Sequence, residues 1–297
     1  MNSKQILKVS KKLYKQYRSL SLFRRHIKEF GFKTPPYNII NPVLTTSFEQ
    51  KSFGQKSKTV PDYVYSQTDE HPPEQFIYYN PEEIEKIREA SKIAAHCVRI
   101  APEILRPGVT TNHLNDILHE EITSKSGYPS VLGFKNFPKS IATSVNNVAC
   151  HGVPDDRHLE NGDIVSFDVT VYKDGFHGVC GSTQVIGDAR EDPVGRFLRS
   201  VAEECVFRGI SACQPGRLVL DIGAEVAKFS RKRHVKVIPT LTGHGIGKYF
   251  HCAPDVYHVM NNFPGQLRPG IFIFYFSISL SYMNLPSTKK HRILNIL

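Results

Sequence analysis

The sequence predicts an α+β domain, and three observations carry the prediction. Apolar residues recur at helical spacing near 81–101 and again after Thr110-Thr111, then again over 192–213 and about 219–233. Between these pairs the period changes to that of strands, over 141–148, 164–172 and 183–186. An Asp174-Gly175 pair sits between β-prone segments, the composition of a two-residue hairpin turn. Helices, a hairpin, helices and a further strand region suggest an internal duplication of helices and antiparallel strands.

Each element has its own signals. Asn80-Pro81-Glu82-Glu83 offers an N-cap, a proline at the first helical position and acids in the first turn. Ile84, Ile87, Ala90, Ala94, Cys97 and Val98 follow on one face, and Arg106-Pro107-Gly108 stops the helix. The second helix carries Leu114, Ile117, Leu118 and Ile122 and ends at Gly127. Gly162-Asp163 introduces the strand that runs to Tyr172. Residues 35–76 are rich in Pro, Ser, Thr, Gln and Tyr without sustained periodicity, the character of a linker or extended arm.

Charge narrows the partners. The chain of 297 residues carries a formal net charge of +10. Residues 1–34 hold seven lysines and three arginines against the single acid Glu29, a net of +9, so the rest is close to neutral at +1. A specific DNA-binding surface is therefore not expected from the remainder. The basic segment, poor in acids and interleaved with apolar residues, reads as a mitochondrial targeting presequence. The alternative is a cytoplasmic chain with a basic arm. No uncharged apolar stretch of about 7–15 residues marks it as a secretory signal.

Six cysteines stand singly with no CxxC spacing, which fits buried thiols rather than a disulfide framework or zinc finger. The run Ile271 to Met283 is apolar but only 13 residues long. A membrane span needs roughly 17–25. It reads as a buried strand or an exposed, adhesive end.

Four residues could carry chemistry. Asp168 lies inside the strand Ile164 to Tyr172, where an inward carboxylate must be paired or bind a cation. Because Phe167 and Val169 flank it, a solvent-facing Asp168 on an alternating strand stands as the other reading. His244 sits between Gly243 and Gly245, where nothing crowds an imidazole aimed at a ligand. His251 follows Phe250, and His151 stands in Cys150-His151-Gly152. The alternating Gly243, Gly245 and Gly247 do not make a dinucleotide loop, and no nucleophile elbow or phosphate loop occurs. These residues suggest a carboxylate and imidazole metal site.

Several words, in order, carry a resemblance. Tyr128-Pro-Ser130, Asn136-Phe-Pro-Lys-Ser-Ile141, Thr143-Ser-Val-Asn146, Cys150-His-Gly-Val-Pro154, Asp168-Val-Thr-Val-Tyr172 and Gly243-His-Gly-Ile-Gly-Lys-Tyr-Phe-His251 are collinear with type 1 methionine aminopeptidases. The similarity runs over 77–270, and the basic extension resembles that of mitochondrial members. The resemblance implies the pita-bread (creatinase/aminopeptidase) fold and a catalytic domain over 77–270. It also implies hydrolytic removal of initiator methionine from nascent proteins when the second residue is small. It implies two divalent cations (Co, Mn, Fe or Zn) and N-termini of nascent proteins or peptides as partners; further expectations are the ribosome as a partner of the basic segment 1–34, and a monomer.

Position by position, the resemblance makes Asp168 and His244 metal ligands and His151 and His251 catalytic. His151 would also touch substrate, and Phe134, Phe137 and Phe250 would line the methionine pocket.

Three of the family's five metal-ligand positions depart from this pattern. Val179, in His177-Gly178-Val179-Cys180, stands where the family has its second metal-binding Asp. Residues 271–277 carry no carboxylate after Pro269-Gly270, and no Asp or Glu follows Asp255. Cys180 or His177 are the nearby side chains that could replace a ligand. Residues 271–297 read as a divergent apolar tail, which would leave the C-terminal strands incomplete. The departures keep a second function open: a catalytically inactive relative that binds nascent chains, proteins or RNA.

Overall fold

A computed structural model describes residues 60–66, 74–188 and 193–274, together with the backbone of 280–282 and 293–294. The basic segment 1–34, read as a presequence, and most of the segment 271–297 lie outside the described residues.

Helix α1 spans Asp62–Ser66, inside the segment read as a linker. Helix α2 spans Pro81–Ile104. Asn80 caps it, its side chain accepting from the Glu83 amide while Glu83 accepts from the Asn80 amide, a reciprocal capping box. Helix α3 spans Thr111–Ser124 and is capped by Thr110, whose hydroxyl accepts from the His113 amide at 3.1 Å. Short strand β1 (Tyr128–Pro129) and a 3-10 turn at Phe134–Asn136 lead to β2 (Ala142–Val145).

Strands β3 (Ile164–Lys173) and β4 (Phe176–Val185) form the long hairpin. Its turn works as its composition predicts, with φ +50° at Asp174 and +89° at Gly175. The second strand begins at Phe176, earlier than its sequence signals over 183–186 suggest. Polar and small residues at 177–182 hide the period, and pairing with β3 supplies the order. β3 is central: β4 takes one edge, while β1 and β2 share the other.

Helices α4 (Pro193–Ala212) and α5 (Val219–Lys232) follow, then β5 (Val235–Val237), β6 (Thr242–Gly245) and β7 (Cys252–Tyr257). β8 (Ile273–Phe274), β9 (Leu280–Tyr282) and β10 (Ile293–Leu294) are short. β6 lies between β7 and β8, and β9 lies between β10 and β5.

β3 is buried along both faces, which explains why its sequence mixes apolar and polar residues without a solvent side. Val165, Phe167, Val169 and Val171 pack with Ala94, Cys97 and Ala101 of α2 and with Leu114, Leu118 and Ile122 of α3. On the other face, Ile164 packs with Leu198, Val201 and Cys205 of α4 and Val226 of α5. Ser166, Asp168 and Thr170 share that second face, since residues two apart on a strand point the same way. The solvent-facing reading of Asp168 is thereby corrected: it is 8% exposed, because both faces of its strand are covered. Among the described residues no helix is long and apolar enough to cross a membrane.

Candidate metal and substrate site

Imidazoles and aromatic rings gather where the β3–β4 hairpin, the 134–136 turn and the loop after β6 converge. His177, the second residue of β4, lies flat on Phe250, with centroids 5.1 Å apart and 12° between planes. Phe250 in turn meets Phe134 at 5.0 Å and His251 at 4.3 Å. His251 stacks on Phe134 at 5.6 Å and lies 4.4 Å from His244. Tyr172 meets His177 at 4.8 Å from the end of β3. The Gly247 carbonyl accepts the His177 amide at 2.7 Å, tying the hairpin to the glycine-rich loop.

Four of the residues singled out from sequence therefore meet in this cluster: Phe134, Phe250, His244 and His251. His151 has a strained φ of +51°. It belongs to the same neighbourhood, because its charge would oppose protonation of both His244 and His251. Burial, and after it the charge of nearby Asp168, holds the thiol of Cys150, the neighbour of His151, protonated. Phe137 closes the 3-10 turn, donating its amide to the Phe134 carbonyl at 2.9 Å and accepting from Gly133.

Burial sets the charge state of these groups. Desolvation pushes the Asp168 carboxyl up to about 8. It pulls His244 down to about 4, with a smaller contribution from His151. His177 falls to about 3, again from desolvation first and His244 second. His251 is held well below the ordinary imidazole range, and His151 is lowered by desolvation. All four rings are neutral at pH 7 and able to accept or donate a single proton. His151 and His251 remain reachable by solvent although protein surrounds them, as expected of cleft-lining side chains.

The donors can be tested against a metal centre. The Nδ1–H of His244 donates to the Gly245 carbonyl at 2.9 Å, which leaves Nε2 as its unprotonated, ligand-side nitrogen. Asp168 Oδ1 is buried without a hydrogen-bond partner among the described residues, an arrangement a cation would satisfy. Beyond these two the set stops. Among the described residues no group of three or more His, Cys, Asp or Glu side chains could hold a metal ion.

Val179 stands opposite Thr170 in the β3–β4 register. Directly opposed residues share a face, so Val179 points to the side of Thr170 and Asp168. Cys180 packs against the core beneath the opposite face, and His177 is committed to Phe250 and to Ser130 Oγ at 3.0 Å. Neither replaces the missing carboxylate. The described residues therefore do not fit a pair of cations.

Sequence reasoning missed Tyr63, Tyr172 and Ser130. It considered His177 only as a substitute ligand. Tyr172 and Ser130 stand inside the quoted words Asp168-Val-Thr-Val-Tyr172 and Tyr128-Pro-Ser130. Tyr63 had no signal, because α1 is a single turn within an aperiodic stretch.

The architecture, with its gathered imidazoles, carboxylate and aromatic rings, is that of a metallopeptidase family. The sequence pattern of metallopeptidase family M24 matches residues 85–286, and the chain belongs to that family, which implies a divalent metal ion. The chain is similar to mitochondrial methionine aminopeptidase 1D of Danio rerio, 37% identical over 235 residues covering 79% of this chain and 68% of the relative. It is also similar to methionine aminopeptidase of Rickettsia prowazekii, 40% identical over 188 residues covering 63% of this chain and 72% of the relative. The crystal structure of the Rickettsia prowazekii methionine aminopeptidase superposes with a TM-score of 0.68 at 34% identity, covering 74% of this chain and 93% of that one. The α+β, pita-bread expectation is borne out.

Proposed function

We propose that this protein is a methionine aminopeptidase, acting on the N-terminal methionine of nascent proteins and peptides whose second residue is small. The observation that carries the reading is the aromatic cluster of Phe134, Phe250, His251 and His177, with ring centroids 4.3 to 5.6 Å apart. An apolar, aromatic-lined pocket suits a flexible thioether side chain, which gains from contact between sulfur and rings. His151 and His251, neutral at pH 7, are assigned to hydrogen-bond the peptide group beside the methionine. Asp168 and His244 are assigned to the metal-facing side.

Divalent metal in this family supplies Lewis acidity and an activated water. The described donors are too few for a metal pair. The names of the relatives and the composition of residues 1–34 support a mitochondrial location.

Hydrolysis of a Met-Ala-Ser peptide by the full chain, across Co²⁺ and Mn²⁺ titrations with a chelator control, tests the reading. Chelator-sensitive release of methionine supports it. Tight binding of the peptide by a folded chain without release would instead make the protein a recognition module for methionyl N-termini. Neither binding nor release from a folded chain would reject the substrate assignment.

A further inference from the structure

The site receives a side chain from outside residues 85–286, the stretch that the family pattern matches. Tyr63 is carried by α1, whose turn is closed by the Val64 amide donating to the Pro61 carbonyl at 3.1 Å and anchored by buried Val64. The Tyr63 ring meets three members of the aromatic cluster edge-on. Its centroid lies 5.1 Å from His177, 5.4 Å from Tyr172 and 6.2 Å from Phe134, at interplanar angles of 64°, 64° and 60°. Such T-shaped contacts are favoured by the ring quadrupoles.

The Tyr63 hydroxyl donates to the Ser130 carbonyl at 2.9 Å. Ser130 is itself fixed, its amide donating to the Thr170 carbonyl at 2.8 Å and its hydroxyl bonded to His177. A phenol held by one hydrogen bond and three rings has a defined position. It bridges the turn that carries Phe134 to the hairpin that carries Tyr172 and His177.

We propose that Tyr63 is a specificity-determining wall of the methionine pocket, lent by the N-terminal arm, which limits the pocket to slender, unbranched side chains. The proposal rests on the methionyl-substrate reading above. Without the phenol, the edges of Phe134, Tyr172 and His177 lose their covering ring, which leaves room beside Phe134 for a bulkier side chain. The arm thus contributes to substrate choice, and a change in its docking changes what the domain accepts.

Calorimetric titration of the full-length chain with Met-Ala-Ser and Phe-Ala-Ser peptides tests this without relying on turnover. The wild type should prefer the methionyl peptide by roughly tenfold or more, the scale on which apolar pockets discriminate. Tyr63→Ala should bring the two affinities within about threefold, a fraction of that discrimination. Tyr63→Phe should keep the preference, because the ring remains.

The chain has no tryptophan. Tyr63→Trp therefore introduces a single tryptophan, which can be excited apart from the tyrosines and whose emission should change on adding the methionyl peptide. Unchanged discrimination in Tyr63→Ala, or emission from the Tyr63→Trp variant that ignores the peptide, would overturn the proposal while leaving the methionyl reading intact. A folded wild type that binds neither peptide would overturn both.

Discussion

The imidazole of His177 lies on the face of Phe250 with only 12° between their planes, joining the hairpin to the glycine-rich loop across the site. The stack and the Ser130 hydrogen bond act on one nearly inaccessible ring, 1% exposed. His177→Ala should cost about 2–4 kcal/mol, from lost packing and an orphaned Ser130 hydroxyl. His177→Phe, which keeps a flat ring, should recover much of that loss. Urea unfolding of the three proteins checks it; equal losses for Ala and Phe would mean the stack contributes little.

Asp168 is expected to be a destabilising residue in chelator-treated protein. Its carboxyl is raised to about 8 by burial, against about 4 in the unfolded chain. A raised carboxyl binds more protons folded than unfolded between those values, so its contribution to stability falls as pH rises from about 4 to 8. Asp168→Asn should therefore be more stable than wild type at pH 8, on the order of a few kcal/mol, and nearly equal at pH 4. Urea midpoints of both proteins in chelator, taken from pH 4 to 8, read the difference. A gap that does not grow with pH would contradict it.

The histidines slope the other way, and the Asp168→Asn background removes the opposing carboxyl of Asp168. His177, His244 and His258 are held at about 3, 4 and 4 by desolvation, below the unfolded value near 6.5. Well above pH 6.5 neither state is protonated at these rings, and they no longer favour unfolding. As pH falls toward 4 the unfolded chain takes up protons first, so stability declines through that window. Unfolding midpoints at pH 4.5, 5.5 and 6.5 should fall steadily with acidity, and a flat profile would show that the rings are more hydrated than their burial indicates.

The helices were legible because their apolar spacing and caps are local, and the Asp174-Gly175 turn because its chemistry is local. The β4 strand was only partly legible. Its early residues are His177, Gly178, Val179, Cys180, Gly181 and Ser182, whose order comes from pairing with β3. Gly178 is required by a close approach: a Cβ there would overlap the Ser91 amide and lie 2.6 Å from the Ala90 carbonyl carbon in α2. Nothing in the local sequence announces that helix passing behind the strand. The site residues in words shared with the family were named from sequence. Tyr63 was not, since one helical turn in a polar, proline-containing segment leaves no periodicity to read. Asp168 reads two ways in sequence because nothing local shows that α2 and α4 cover opposite faces of its strand.

Val179 is where metal affinity should be recoverable. It opposes Thr170 and points to the same face of the hairpin as Asp168, so the backbone that would aim a carboxylate there is intact. Asp168 Oδ1 has no partner among the described residues, and His244 offers Nε2 once Nδ1 is bound to Gly245. Val179→Asp adds a second hard oxygen donor beside the first, which divalent cations of this size favour. Calorimetric titration with Mn²⁺ or Co²⁺ should show at least about tenfold tighter binding than wild type, the scale on which a single supporting group alters metal affinity. The gain should vanish in the Val179→Asp, Asp168→Asn double variant if the two carboxylates share the ion. A gain that survives Asp168→Asn would place the new carboxylate's ion elsewhere and sever Val179 from this site.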